Sequence, residues 1–418
     1  MRGAAPRGGA AAERVLARAD RLAALSRMPG GIDRRYLTPE HRAANDLAAV
    51  WLAEAGLDAW QDAAGNLCGR VPGPPDDAPI VLLGSHLDSV PDAGRYDGIL
   101  GVLVALEVAE RLRDEAAALP FALELVGFAD EEGTRFGATL LGSRAVAGTW
   151  DPAWTELRDD DGVTLREAAR GFGLDPDRIG SASRARDLHA YLEVHIEQGP
   201  RLERADRALG VVTRIAAAER RMLTLTGQTR HGATPWDMRH DALLGFAEAD
   251  LAIERIVRDA GAYATVGHVA VRPDAVNVIP GVAEFSLDLR AETAEGRDAA
   301  WELVHAELER LADARGLRLD VASTHRADAC VADPRLRAAI AAGIAATGDA
   351  EPMELFSVAG HDAMAIAAAA PVAMLFVRCA GGISHAPEES VRADDVAFAI
   401  DALEAAVRDL ARRDTRDE

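Results

Sequence analysis

Five short stretches carry residues that could do chemistry together. In "FADEEGTRF" (128–136), Asp130, Glu131 and Glu132 stand in a row directly after the apolar run 121–126. Side-by-side carboxylates repel, and near a low-dielectric core they take up protons unless positive charge is at hand. A bound cation is one such charge, and one Glu could ligate it while the other stays free to take a proton. "VLLGSHLDSV" ends an apolar strand in His86, with Asp88 on the same side if extension persists, placed to hold the second imidazole nitrogen. "GRYDGILGVLVALEVAERL" puts Asp97 just ahead of an apolar helix, as an ordinary N-cap or as a carboxylate bridging two cations. "LEVHIEQGP" alternates Glu193, His195 and Glu197 with Leu192, Val194 and Ile196, and "GGISHAPEES" sets His385 in a Gly-rich loop after the strand "PVAMLFVR". Each stretch alone reads as an acidic loop, a helix cap or a core histidine. Candidate ligands at five strand ends form a pattern that chance explains poorly.

The elements that must position them alternate. Helical stretches and short apolar runs at 80–85, 121–129 and 191–199 argue for an α/β layer with helices on both faces of a sheet. Residues 211–326 change pattern: strand 211–230, helix 239–260, strands 263–272 and 282–291, helix 294–314, strand 317–325. This β-α-β-β-α-β order is ferredoxin-like. After residue 330 the first pattern returns. The expectation is a discontinuous larger domain, 1–210 and 327–418, with a small domain, 211–326, inserted into it; 418 residues are too many for one ordinary core.

Composition removes several function classes. A formal charge of −22, from 46 basic and 68 acidic residues, argues against nucleic acid or an anionic membrane and for a small substrate or a cation. Every basic residue is Arg, which excludes a P-loop and any Schiff-base chemistry, both of which need Lys. Cys68, Cys330 and Cys379 are odd in number and far apart, implying a reducing compartment and no disulfide framework. No apolar run approaches the roughly 18 residues of a membrane span. "AAERVLARADRLAALSR" reads as an amphipathic helix with no signal peptide before it, "GAAPRGGAAA" as a frayed tail, and the expected location is the cytoplasm.

The blocks "GSHLDSVPDAGRYDG", "ADEEGTRF", "VHIEQGP", "VNVIPG", "AGHDA" and "GGISHAPEE" together resemble the M20-type binuclear metallopeptidases. Within them the likeness is to the amidase branch: N-carbamoyl-L-amino acid hydrolases, ureidopropionases and allantoate amidohydrolases. It spans nearly the whole chain and implies a mixed-sheet zinc-peptidase-like catalytic domain with an inserted ferredoxin-like lid and dimerisation domain. Carried over, it implies one divalent metal, Zn or Mn, on His86, Asp97 and His195, and a second on Asp97, Glu132 and His385, with Glu131 as general base. Peptidase members carry an acid where this chain has His195. The likeness assigns Arg290 and Asn277 to a substrate carboxylate, Gln198 to the ureido end, and His231 to a lid histidine that steadies the oxyanion, in its own subunit or the partner's. There the chain departs from the pattern, reading "HGATPW" for H-A-G-T-T-P-M, one residue shorter and with Trp236 for Met. His361 in "AGHDAM" is read either as lying near the site or as capping the helix after it, the cap being preferred.

The implied activity is binuclear hydrolysis of a ureido C–N bond in a small carboxylate, allantoate to ureidoglycine, ammonia and CO2 first, N-carbamoyl-L-amino acids or 3-ureidopropionate second, by a homodimer. An M20 dipeptidase or aminopeptidase is disfavoured by His195, and a non-catalytic binding protein by the intact ligand set with its base.

Overall fold

The apolar runs at 80–85 and 121–129 lie side by side, in parallel, at the centre of a mixed sheet; the structure, a computed structural model, describes residues 9–417. In chain order the strands are β1 (Asp58–Gln61), β2 (Leu67–Arg70), β3 (Ile80–His86), β4 (Ala122–Phe128), β5 (Leu188–Ile196), β6 (Leu209–Ile215), β7 (Ala217–Thr226), β8 (Arg230–His231), β9 (Tyr263–Thr265), β10 (Val269–Arg272), β11 (Val278–Ile279), β12 (Val282–Ala291), β13 (Arg318–Ala327), β14 (Cys330–Val331), β15 (Met353–Ser357) and β16 (Val372–Val377). The large sheet runs β1-β2-β4-β3-β5-β16-β6 and on to β14, with β15 also paired to β6. Its central strands β4, β3, β5 and β16 are mutually parallel, so their carboxyl ends emerge along one edge. That edge is where an open α/β sheet places its binding groups.

Parallel strands covered on both sides read as continuous apolar runs, and β3, β4 and β16 are buried along their whole length. β5 is buried from Ala190 to Ile196 as well, so the alternation in "LEVHI" does not mark a solvent face. Its polar residues point into the protein and find partners there: Glu193 accepts from the Ser85 hydroxyl at 2.9 Å and from the Ala363 N–H at 3.2 Å.

Helices Gly9–Ala23, Ile99–Leu112, Pro334–Ala346 and Ala393–Asp417 share the main core with β3, β5 and β16. The first begins inside the stretch expected to fray, with Ala11, Ala12, Val15, Ala19 and Leu22 buried at helical spacing; the part of that stretch before Gly9 lies outside the described residues. Its Arg14 and Arg18 both reach Glu107, a fully buried carboxylate on Ile99–Leu112, at 2.5 and 3.0 Å. This pairing fixes the helix that follows Asp97. Arg34, also buried, donates to the carbonyls of Leu87 at 2.7 Å and Leu22 at 2.8 Å, tying down the chain just after β3. Burial lowers its guanidinium to about 10.

The chain divides into a larger unit, up to Thr213, Ala332–Leu355 and from His361 onward, and a smaller one, Arg214–Val331 with Phe356–Gly360. The short return of Phe356–Gly360 is not in the sequence reading. The stretch read as one strand over 211–230 is in fact two. β6 is buried on both faces in the large sheet; β7 alternates, pairing with β12 and β13 in the smaller unit's sheet, β10-β12-β7-β13. Helices Ala242–Asp259 and Ala294–Arg315 cover one face of it around Leu223, Phe285 and Val304, and the connectivity is the split βαβ of ferredoxin-like folds. No helix among the described residues is long and apolar enough to cross a membrane.

Candidate metal centre

At the carboxyl edge of the large sheet, the ends of β3, β4 and β5 and the loop after β16 bring His86, Glu131, Glu132, His195 and His385 around Asp97. Asp97 is buried, and its two oxygens face different partners. Oδ1 lies 3.2 Å from His195 Nε2 and 3.8 Å from His86 Nε2; Oδ2 lies 3.0 Å from His385 Nε2, which is 3.7 Å from Glu132 Oε1. His86–Asp97–His195 and Asp97–Glu132–His385 thus form two clusters, each with ligand atoms within 4.8 Å of one another, that share one carboxylate. Asp97 does not cap the helix behind it: the N-cap is Gly98, and no side chain bonds there.

The histidines are oriented as ligands. His86 Nδ1 is 3.1 Å from the Asp88 carbonyl and His195 Nδ1 is 2.9 Å from the Ile196 carbonyl, so each ring donates outward and turns the Nε2 lone pair on the centre. Asp88 differs from its sequence assignment. Its carboxylate stands 3.7 Å from the His86 ring, and instead accepts the backbone N–H of Glu131 at 3.1 Å and of Glu132 at 3.2 Å. The offset of two residues does put Asp88 against the ring, but through its carbonyl; the carboxylate is drawn to the neighbouring loop after β4, where two unpaired amides await an acceptor. One carboxylate therefore fixes both glutamates. Asp130, with φ of 62° although not Gly, makes the turn that presents them; Gln198 and His385 share that left-handed conformation at 55° and 54°. Such backbone conformations cost energy and gather at functional sites.

Electrostatics describe a place that needs positive charge. Burial, followed by repulsion from Glu132, holds the Glu131 carboxyl well above its ordinary range, and burial with the Asp97 charge raises Glu132. Burial opposes ionisation of Asp97 too, yet hydrogen bonds from His195 and His385 hold it well below the usual carboxylate range. His385 is pushed up to about 9 by its bond to Asp97; His195 also reaches about 9, where burial is outweighed by Asp97. The cluster gathers protons wherever cations do not replace them, which is how a metal site couples to pH. Mixed imidazole and carboxylate donors, with a shared carboxylate at the centre, fit a pair of divalent ions.

Gly98 makes room for this. A Cβ there would lie 2.4 Å from Cδ2 and Nε2 of His86, and φ is 70°. We expect Gly98→Ala to displace the His86 ring and weaken the ion it serves by roughly 10- to 100-fold in a calorimetric titration, while the ion on the His385 side is held almost as before. An unchanged titration would mean that the ring is not a ligand.

The other sequence candidates fall as follows. Gln198 Nε2 lies 3.1 Å from both Asp97 oxygens and from Ser384 Oγ. In the smaller unit, His231 is exposed on β8, its Nδ1 accepting the Ala233 N–H; it pairs with Val278, next to Asn277, whose carbonyl accepts from Gly232 at 2.7 Å. Arg290 is engaged, with a bidentate pair to Asp288 at 2.7 and 3.1 Å and a bond to the Val358 carbonyl at 2.9 Å. His361 does not cap a helix: it is buried with its ring centroid 4.4 Å from that of His195, edge to face, and its ligand atoms fall in a cluster with Glu193 and His195. "AGHDA" carries no local sign of this, because the contact joins segments far apart in sequence.

Comparison with known proteins accords with the geometry. The profile of peptidase family M20/M25/M40 matches residues 82–409. The chain is 40% identical to the N-carbamoyl-L-amino acid amidohydrolase of Geobacillus stearothermophilus, over 96% of this chain and 98% of that one. It is 36% identical to the allantoate deiminase of Arabidopsis thaliana, over 93% and 80%. A crystal structure of a hydantoinase/carbamoylase-family amidase from Burkholderia multivorans superposes with a TM-score of 0.84 at 33% identity, covering 95% of this chain and 97% of that one. With two histidine–carboxylate clusters sharing Asp97 on this fold, the chain belongs to peptidase family M20/M25/M40, among its amidohydrolases.

Proposed function

We propose that the protein hydrolyses the ureido C–N bond of a small carboxylate, with two divalent ions, Zn or Mn, held by His86, Asp97 and His195 and by Asp97, Glu132 and His385. The observation that carries this reading is the division of the Asp97 oxygens between imidazoles on opposite sides. Divalent ions there supply Lewis acidity, polarising a carbonyl and easing loss of a proton from water. Glu131, buried and left out of both ligand sets, takes that proton and returns it to the leaving nitrogen. Its high proton affinity is set by burial and by Glu132; added positive charge lowers it toward the range where a base works. Asp88 keeps the base in place through its backbone N–H. Arg290 and Asn277 are assigned to the substrate carboxylate, Gln198 to the ureido group and His231 to the developing oxyanion. Collapse of the tetrahedral carbon releases an amine and a carbamate, which yields ammonia and CO2.

Allantoate is the first substrate proposed. N-carbamoyl-L-amino acids are the second reading, favoured by the 40% identity to the Geobacillus enzyme. A homodimer and a cytoplasmic location belong to the same proposal. The test is ammonia release by Mn-loaded protein from allantoate, N-carbamoyl-L-amino acids and 3-ureidopropionate, beside a dipeptide assayed for cleavage. One ureide is expected to exceed the dipeptide by orders of magnitude. Faster dipeptide turnover would move the chain to the peptidases, and ureide binding without ammonia would leave a binding protein.

A further inference from the structure

The loop that carries His385 also carries Glu389, a buried residue outside both ligand sets. Its Oε1 accepts the backbone N–H of Tyr96 at 2.7 Å and of Asp97 at 3.2 Å, and its Oε2 accepts the Ser384 hydroxyl at 2.9 Å. Ser384 Oγ in turn lies 3.4 Å from Asp97 Oδ2 and 3.1 Å from Gln198 Nε2. The surroundings are shaped to the carboxylate: a Cβ on Gly94 would lie 2.2 Å from Glu389 Cδ. A helix cap or a surface ion pair would not use both oxygens on two segments so far apart in sequence.

We propose that Glu389 is the positioning residue of the second ion site, fixing the loop that brings His385 against the loop that brings Asp97. One oxygen grips the Asp97 backbone and the other grips Ser384, the neighbour of His385. The separation of His385 Nε2 from Asp97 Oδ2 is therefore set by one rigid carboxylate. Groups that orient metal ligands from behind matter to affinity nearly as the ligands do. The proposal rests on the two-cation reading and adds to it a residue that touches neither ion.

The experiment titrates Mn2+ into the chelator-stripped full-length chain by calorimetry, with thermal melts recorded in chelator. His385→Ala identifies which binding class belongs to the second ion. Glu389→Ala is expected to weaken that class by about 10- to 100-fold and the other far less. Glu389→Gln keeps one acceptor oxygen and should fall between Glu389→Ala and the unchanged chain. Gly94→Ala leaves Glu389 in place chemically but crowds its carboxylate, and should reproduce Glu389→Ala. Wild-type affinities in Glu389→Ala would overturn the proposal, as would equal weakening of both classes with a lowered melting temperature, the mark of a merely structural role. Fewer than two ions on the unchanged chain would overturn the two-cation reading itself, a failure visible before any variant is compared.

Discussion

Glu131→Gln is expected to lower turnover by roughly 10²- to 10⁴-fold, the range for loss of a general base, while the protein still takes up two ions per chain. The amide is nearly isosteric with the carboxylate, so the turn at Asp130 and the bonds from the Glu131 and Glu132 N–H groups to Asp88 need not change. What is lost is the capacity to accept a proton. Such a drop corresponds to about 3–5 kcal/mol in the barrier, too large for a change of packing at a residue that keeps its shape. The geometry also holds a rival, because Glu131 forms a possible ligand cluster with His86 and Glu132. Elemental analysis after loading separates the two. A Gln variant that loses one ion along with its activity makes Glu131 a ligand, and one that keeps both ions and full activity removes it from the mechanism.

The proposed division of labour between Glu131 and Glu132 could be suspected from their adjacency, because two neighbouring carboxylates beside a buried strand need something positive to stand against. His86, Asp97, His195 and His385 were likewise visible as polar residues at the ends of apolar runs. Spacing alone, without the family resemblance, does not say which group touches which. The Asp88 carboxylate serves the amides after β4 because β3 and β4 are parallel neighbours, with His86 opposite Phe128. No local spacing states that pairing. The alternation in β5 left open, for a related reason, whether Glu193 and His195 face solvent or the core: they are buried because hydrogen bonds and a neighbouring acid satisfy them. The break between β6 and β7 escaped too, since both halves are β-formers and only burial distinguishes a strand covered on two faces from one covered on a single face. Gly98 and Glu389 act through contacts across the fold and leave no mark in their own neighbourhoods.

Asp97→Ala should cost both ions, whereas loss of a terminal histidine should cost one. Each Asp97 oxygen faces a different imidazole set, so its removal takes a ligand from both clusters at once. Affinity at both is expected to fall by more than about 100-fold, beyond the usual loss for a group that merely orients a ligand, and ammonia release should drop to background. His385→Ala is the control, expected to retain the ion on His86 and His195. One ion held at unchanged affinity in Asp97→Ala would show that the carboxylate serves a single site. A second readout needs no metal. Asp97 is what lifts His195 and His385 to about 9 against burial, which by itself lowers an imidazole. In chelator, the histidine proton resonances of the Ala variant should therefore titrate at lower pH than those of the unchanged chain, near or below the ordinary value of about 6.5. The sign carries over to metal uptake by the unchanged chain: a cation must displace protons from imidazoles that hold them up to about pH 9, so its apparent affinity rises with pH throughout the neutral range. Midpoints that stay near 9 without Asp97 would mean that another acid holds those protons and that the shared carboxylate is not the hinge of the centre.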